Sequence, residues 1–526
     1  MGQAHVCRYF QNAYNGNMLR KALKILTSRL VLVVALIAIQ VAFIVSWFYS
    51  RVSQTLMPFI NAAAIVLMVY IINSKEDPAY KLGWCIVILA FPVFGIVMYV
   101  LCFGRKMPAK LAHGTTDANS RMANLLSQDP AVMERLAKED PDGVPMFRNG
   151  LRTSRFPVYQ NTCAQYFGSG EEWFPVFLAK LKGAKRFIFL EYFIINPGTM
   201  WDEVLGVLKQ KVAEGVQVKL IYDDLGCLDS GRNFARKMNE LGIETYCFNR
   251  LRPALAIQMN NRDHRKICVI DNTVGFTGGV NISDEYANRI VRFGYWRDSA
   301  IMIEGEAVWS LTVMFLGMYT YLKKDDEGID YSRYKLPYVM PEQPSGYFQP
   351  FSDTPTDAAN AGLSVHMNLV LQARKYVYID TPYLILAEPM KNALCLAGDN
   401  GIDVRILTPH IPDKKIAFTM TRSNYQVLLE HGVKIYEYTP GFNHTKNIVS
   451  DDLRGTVGTV NTDYRSYYLH FENGVLFEDS ATAVVLRDAF LKGLEQAQEV
   501  TLEDTRHINI FVRIFSAVAN LFAPLF

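Results

Sequence analysis

The sequence predicts an α-helical membrane part followed by an α/β body that is built twice. Three observations carry this expectation. Three apolar runs crowd into the first 104 residues, strand-and-helix patterns recur at an offset of 186 to 190 residues, and a polar motif recurs at an offset of 180. Half of the 526 residues are hydrophobic and 20% are charged, which excludes a disordered or collagen-like chain. A net charge of +3 makes no electrostatic case for nucleic acid as a partner. The eight cysteines form no C-x-x-C pair, so reduced, mostly buried thiols are expected in place of a disulfide framework or a zinc site.

Residues 1–104 read as a membrane anchor with three apolar segments. Residues 30–48 are broken only by Gln40 and Ser46. Residues 56–72 hold Pro58 and Asn61 near their start, and residues 82–103 hold Pro92 and Gly95 mid-way. About 20 residues cross the hydrocarbon as a helix. The first segment is the strongest span and the second is just long enough. The third either crosses or dips in and returns, because Pro92 and Gly95 weaken it at mid-depth. With two crossings and a re-entrant third, eleven Lys and Arg lie on one side of the membrane and Arg51 alone on the other. The bias of basic residues makes the first side the cytoplasm, together with everything beyond residue 105.

Residues 105–145 read as a polar linker with short helices. The first repeat is assigned to 146–335, the second to 336–505, and an apolar tail to 506–526. In the tail Phe511, Ile514, Phe515, Val518 and Phe522 fall at helical spacing. That pattern fits a helix packed on the body or one lying in the membrane interface. The repeat itself is read from strands. Ala184-Lys185-Arg186-Phe187-Ile188-Phe189-Leu190-Glu191 matches Ala373-Arg374-Lys375-Tyr376-Val377-Tyr378-Ile379-Asp380, β-branched and aromatic in both copies. Each is followed by a helical stretch and a second strand, 216–222 or 402–407. Strands alternating with helices, twice over, predict two tandem α/β sandwich units.

The chemistry is expected in the second repeated pattern. His264-Arg265-Lys266-Ile267-Cys268-Val269-Ile270-Asp271 and His444-Thr445-Lys446-Asn447-Ile448-Val449-Ser450-Asp451 are both H-x-K-x4-D. Each is followed by a small-residue turn ending in Asn281 or Asn461. One such match in a chain this long arises by chance about one time in thirty; two with identical downstream spacing do not. His and Lys two apart on a strand share a face, which sets an imidazole beside an ammonium. Asp271 and Asp451, at odd offsets from the lysines, are expected to hold strand ends. The glycine-rich turns let backbone and Asn amide approach a phosphoryl oxygen.

This pattern resembles the phospholipase D superfamily, in which two such motifs converge on one active site. The resemblance covers roughly residues 145–500 and is nearest to bacterial cardiolipin synthases. The paired apolar segments around Asp77-Pro78-Ala79-Tyr80-Lys81-Leu82-Gly83-Trp84 are similar to that family. So are Glu191-Tyr192-Phe193, Trp296-Arg297-Asp298, Thr381-Pro382-Tyr383 and Asp463-Tyr464-Arg465-Ser466. The extra apolar run at 30–48 is a departure that bears on topology. The resemblance implies a phosphatidyltransferase of the bacterial plasma membrane that joins two phosphatidylglycerol molecules into cardiolipin and releases glycerol. Hydrolysis of phospholipid to phosphatidic acid is the alternative. It implies a catalytic set of His264, Lys266, Asp271, His444, Lys446 and Asp451, with one His as nucleophile through a phosphohistidine and the other as acid and base. Asn281, Asn461 and the lysines are expected on the phosphoryl oxygens. Each His needs a carboxylate to fix its tautomer; Asp298 is expected to serve His264 and Glu472 to serve His444. Anionic membrane lipids are the expected partners, and neither a cofactor nor a metal is expected. Asp223-Asp224 read as a solvated strand end, and His410, His431 and His470 as structural.

Overall fold

The computed structural model describes residues 51–74, 78–103, 109–250, 261–324, 329–338, 340–356 and 360–506, with 42, 516, 519 and 520. The apolar segment 30–48, Ala42 aside, and most of the 506–526 tail lie outside them.

Two compact units form. In the N-terminal one, a helix over Arg51–Ile72 contains the one stretch among the described residues that is long and apolar enough to cross a membrane, Thr55–Ile72. Ala64 and Ile71 pack into the unit's own core, while Phe59, Val66 and Tyr70 are each about two-thirds exposed or more. The third segment is two helices, Pro78–Ala90 and Pro92–Phe103. Pro92 has no N–H to continue the first helix, and the chain reverses at Phe91. Trp84 and Tyr99 then meet ring to ring at 5.5 Å. A Cβ on Gly95 would fall 2.6 Å from Ile88 Cα, so only glycine allows this approach. At 1.5 Å per residue each arm is about 20 Å long or less, short of a hydrocarbon core of about 30 Å.

Among the described residues the larger unit holds two large sheets and a two-stranded one. The first half contributes β1 (Thr162–Phe167), β2 (Phe187–Tyr192), β3 (Gln217–Asp223), β4 (Glu244–Phe248), β5 (Lys266–Ile270), β6 (Val274–Gly278), β7 (Tyr295–Arg297) and β8 (Ala300–Gly305). The second contributes β9 (Tyr347–Asp353), β10 (Tyr376–Asp380), β11 (Asp403–Pro409), β12 (Lys434–Tyr438), β13 (Gly441–Asn443), β14 (Asn447–Ser450), β15 (Arg454–Gly458), β16 (Glu472–Glu478) and β17 (Ala497–Val500). The first sheet runs β1-β8-β6-β5-β2-β3-β4. The second runs β9-β16-β15-β14-β10-β11-β12, the same order strand for strand, with β17 added at its edge.

Alternation along the strands sorts the two faces of each sheet. Phe187 and Phe189 of β2, like Tyr376 and Tyr378 of β10, enter a core shared by both sheets and by the helix Val308–Lys323. Ile188 and Leu190 face the helices of the first half, while Val377 and Ile379 face those of the second. Both faces are covered, so the central strands read as continuous apolar runs.

The segment 105–145, expected as a polar linker with short helices, contains the helices Ala109–Ala123 and Pro130–Glu139 and the start of Val144–Ser154, but it packs into the body. Leu111, Met122, Val132 and Leu136 are buried in the cores. Polar surface residues mask that burial in the sequence.

Candidate active site

The site forms where the halves exchange backbone. β7 and β13 pair in parallel across the halves, setting Trp296 beside Phe442 and Arg297 beside Asn443. Gly441 packs so tightly on Tyr295 that a side chain there would strike its backbone. The residues that follow these strands are Asp298 and His444. The same exchange occurs once more in shortened form, as a bridge between Asp263 and Phe471, and the residues that follow are His264 and Glu472. His264 N donates to Phe471 O at 2.9 Å and His444 N to Arg297 O at 2.7 Å.

Each histidine is thereby paired with a carboxylate from the other half. His264 Nδ1 lies 3.0 and 2.9 Å from the two oxygens of Glu472. His444 Nδ1 lies 2.6 Å from Asp298 Oδ2. This corrects the expected pairing, which assigned each carboxylate within its own half. The parallel exchange brings His264 to Glu472, 208 residues away, and holds Asp298 against His444. A carboxylate can only accept, so Nδ1 carries the proton in both rings and Nε2 is the lone-pair nitrogen. Among the described residues no hydrogen bond engages either Nε2.

Lys266 and Lys446 are buried beside the rings. Lys266 Nζ donates to His264 O at 2.5 Å, and Lys446 Nζ donates to His444 O and sits 3.0 Å from His444 Nδ1. Burial, only partly offset by Glu472 and Asp298, lowers Lys266 to about 7 and Lys446 to about 8. Burial and the nearby ammonium groups also lower both histidines. His444 falls to about 4, with Asp298 pulling the other way. His264 falls well below its usual value, and Lys266, Lys446 and His444 all act on it. A phosphodiester anion between these groups would supply the charge that the lysines lack.

Asp271 and Asp451 belong to the motifs but lie at the far ends of their strands. Asp271 accepts from the backbone N–H groups of Lys185, Arg186 and Phe187 at 2.7 Å each. Asp451 accepts from those of Arg374, Lys375 and Tyr376 at 2.7 to 2.9 Å. Each holds the start of its neighbouring strand and stays out of the site, which corrects their inclusion in the catalytic set. Asn281 is engaged at both ends of its amide, accepting from Ile194 N at 3.0 Å and donating to Tyr286 Oη at 2.7 Å. Asn461 donates to Asp463 Oδ2 at 3.1 Å. Each amide keeps one further N–H.

Known proteins can be set against this geometry. A family model described as "Cardiolipin synthase, PLD-like domain" matches residues 177–303 and again 367–493. A second, "Phospholipase_D-nuclease N-terminal", matches residues 62–105. A cardiolipin synthase of Geobacillus kaustophilus is 32% identical over 95% of this chain and 99% of its own length. The chain belongs to the bacterial cardiolipin synthases of the phospholipase D superfamily. An uncharacterized protein of Streptococcus mutans is 39% identical over 87% of this chain and 99% of its own length. The solved structure of phosphatidylserine synthase from Haemophilus influenzae shares the fold at a TM-score of 0.54 and 14% identity, covering 72% of this chain and 99% of that one. As a member of this family the protein is a phosphatidyltransferase.

Three features of the enzyme's site escape sequence reasoning. Asp223 is fully buried, against the expected solvated strand end. It accepts from Leu225 N at 2.8 Å and from Asp263 N at 3.1 Å, bracing the segment that delivers His264. Arg297 forks onto Asp380 across the halves at 2.6 and 3.2 Å, locking the exchange that delivers His444. Third, His470, expected to be structural, lies in the site, its ring 5.5 Å from His264 and its Nδ1 3.4 Å from Glu472 Oε1. The signal for it is its place two residues before Glu472, just ahead of β16.

Proposed function

We propose that the enzyme joins two phosphatidylglycerol molecules into cardiolipin through a phosphohistidine, with His264 as nucleophile and His444 as general acid and base. The observation that carries this reading is the pair of crossed His–carboxylate contacts beside two buried lysines. The neutral Nε2 of His264 attacks the phosphorus of the first lipid while His444 protonates the departing glycerol oxygen. His444 then takes the proton from a headgroup hydroxyl of the second lipid, whose oxygen displaces His264. One P–O bond breaks and another forms, so no energy source is consumed. Glu472 stabilises the cationic phosphoimidazole, and Asp298 does the same for the imidazolium of His444. Lys266, Lys446 and the remaining amide N–H of Asn281 and Asn461 meet the phosphoryl oxygens. Among the described residues Asp298 is held by fewer other contacts than Glu472, which supports the acid role of His444.

A membrane location fits the outward apolar side chains of the N-terminal unit, and its helical hairpin suits a segment that enters and returns. The catalytic body then faces the cytoplasm. The test is incubation of the full chain with headgroup-labelled phosphatidylglycerol followed by lipid separation. Cardiolipin with released glycerol is expected; phosphatidic acid as the main product would replace this reading with hydrolysis.

A further inference from the structure

We infer that the enzyme carries an inhibitory site for a divalent cation of the zinc class, built from His264, His470 and Glu472. A ring nitrogen of each histidine and a Glu472 oxygen all lie within 4.8 Å of one another. His264 Nδ1 is 2.9 Å, and His470 Nδ1 3.4 Å, from an oxygen of that carboxylate. Bonds of 2.0–2.2 Å to a tetrahedral zinc ion set ligand atoms about 3.3 Å apart; both histidine–carboxylate distances are already near that value, and the two imidazoles would close on one another by up to about 1.5 Å. Two imidazoles and one carboxylate are a zinc donor set, with the fourth position left to water.

A second observation points to a ligand. Both ring nitrogens of His470 are buried, and neither has a hydrogen-bond partner among the described residues. Buried polar atoms are nearly always partnered, and a cation would satisfy one of these. Lys266, Lys446 and Arg465 oppose a cation here, which makes the site reversible rather than structural. Among the described residues no equivalent group surrounds His444. Trp296 stands two residues before Asp298, where His470 stands before Glu472, and its ring packs 5.4 Å from His444.

A bound ion replaces the proton on His264 Nδ1, releases it to solvent, and takes Glu472 away from the imidazole. The ring is then held as a metal ligand and its Nε2 loses nucleophilicity. Inhibition rests on the proposed role of His264, whereas binding does not. The test uses the full-length, tag-free enzyme in nanodiscs of zwitterionic lipid. Cobalt(II) is the spectroscopic probe and zinc the competitor. One equivalent of Co2+ should give intense visible d–d bands that Zn2+ abolishes. His470→Asn and His470→Gln, each checked for folding by thermal melting, should weaken binding at least about tenfold. Zn2+ should inhibit turnover reversibly by chelator, with the inhibitory concentration raised by a similar factor in either variant relative to its own metal-free rate. Bands that persist in both variants, or no bands at all, would overturn the site. Bands lost in the variants but without inhibition of the wild type would keep the site and overturn the role given to His264.

Discussion

The two halves share one strand order and one motif spacing, yet they surround their histidines differently. His444 rests among aromatic rings, with Tyr286, Trp296 and Phe442 centred 5.4 to 5.7 Å away. Its carboxylate, Asp298, otherwise accepts only from the Ser299 backbone among the described residues. His264 has Phe193 at 5.1 Å and His470 at 5.5 Å, and its Glu472 is shared with the Thr459 hydroxyl and with His470. Duplication supplied a symmetric frame, but the proposed transfer through a phosphohistidine needs one imidazole neutral and the other protonated. A carboxylate that also accepts from a hydroxyl, with a second imidazole close by, gives less of its charge to its histidine than one held almost alone. The asymmetry between the halves therefore lies around the carboxylates and not in the motifs, and it is what the proposed division of roles rests on.

The largest expected effect tests that separation. His264→Ala and His444→Ala should each lower turnover by at least about 10³-fold. Only His444→Ala should accumulate labelled phosphoenzyme on acid-free quenching; the reverse would exchange the two roles. Removing one lysine, as in Lys266→Met, is expected to cost about 10²- to 10³-fold in kcat, like loss of one oxyanion donor.

Crossing is tested by coupling. Glu472→Gln should lower turnover on the order of 10²-fold, and far less again when His264 is already absent. If Glu472→Gln coupled instead to His444, the geometry of the exchange would be wrong.

Protonation gives a fourth test, with opposite signs for activity and stability. Lys266 and Lys446 are lowered to about 7 and about 8 from 10.5. As pH rises through that range they lose the charge that meets the phosphate, so kcat/KM should fall. Stability should rise, because the unfolded chain binds more protons there than the native one. At the acid end, His444 is lowered to about 4 and His366 to about 3. Their contribution to stability is present above pH 6.5 and is lost as pH falls toward those values, so melting temperature should drop between pH 6.5 and 4. A flat melting temperature across both windows would contradict the burial of these groups.

The smallest effect on chemistry belongs to Asp271→Ala. Three backbone N–H groups lose their acceptor, for a destabilisation of about 2–3 kcal/mol, while kcat of the folded enzyme should change less than about threefold. Loss of activity without loss of stability would return this residue to the catalytic set.

Much of this enzyme was determined by local chemistry that a reader of the sequence can follow. Strand period, apolar face and turn residues act over a few residues, so β2 and β10, the motif histidines and lysines, and the role of Asp271 at a strand end were all legible. Pro92 and Gly95 announced the break in the third apolar segment for the same reason. Only the tertiary structure decided what crosses between halves. The partner of His264 is 208 residues away, and nothing near either residue marks the pairing, because parallel backbone exchange leaves no periodicity in the chain. Burial of Asp223 and the placing of His470 beside His264 depend in the same way on which surfaces meet. Contacts between distant segments are chosen by packing over the whole core, and that choice appears in a single sequence only as residues that seem to have no task.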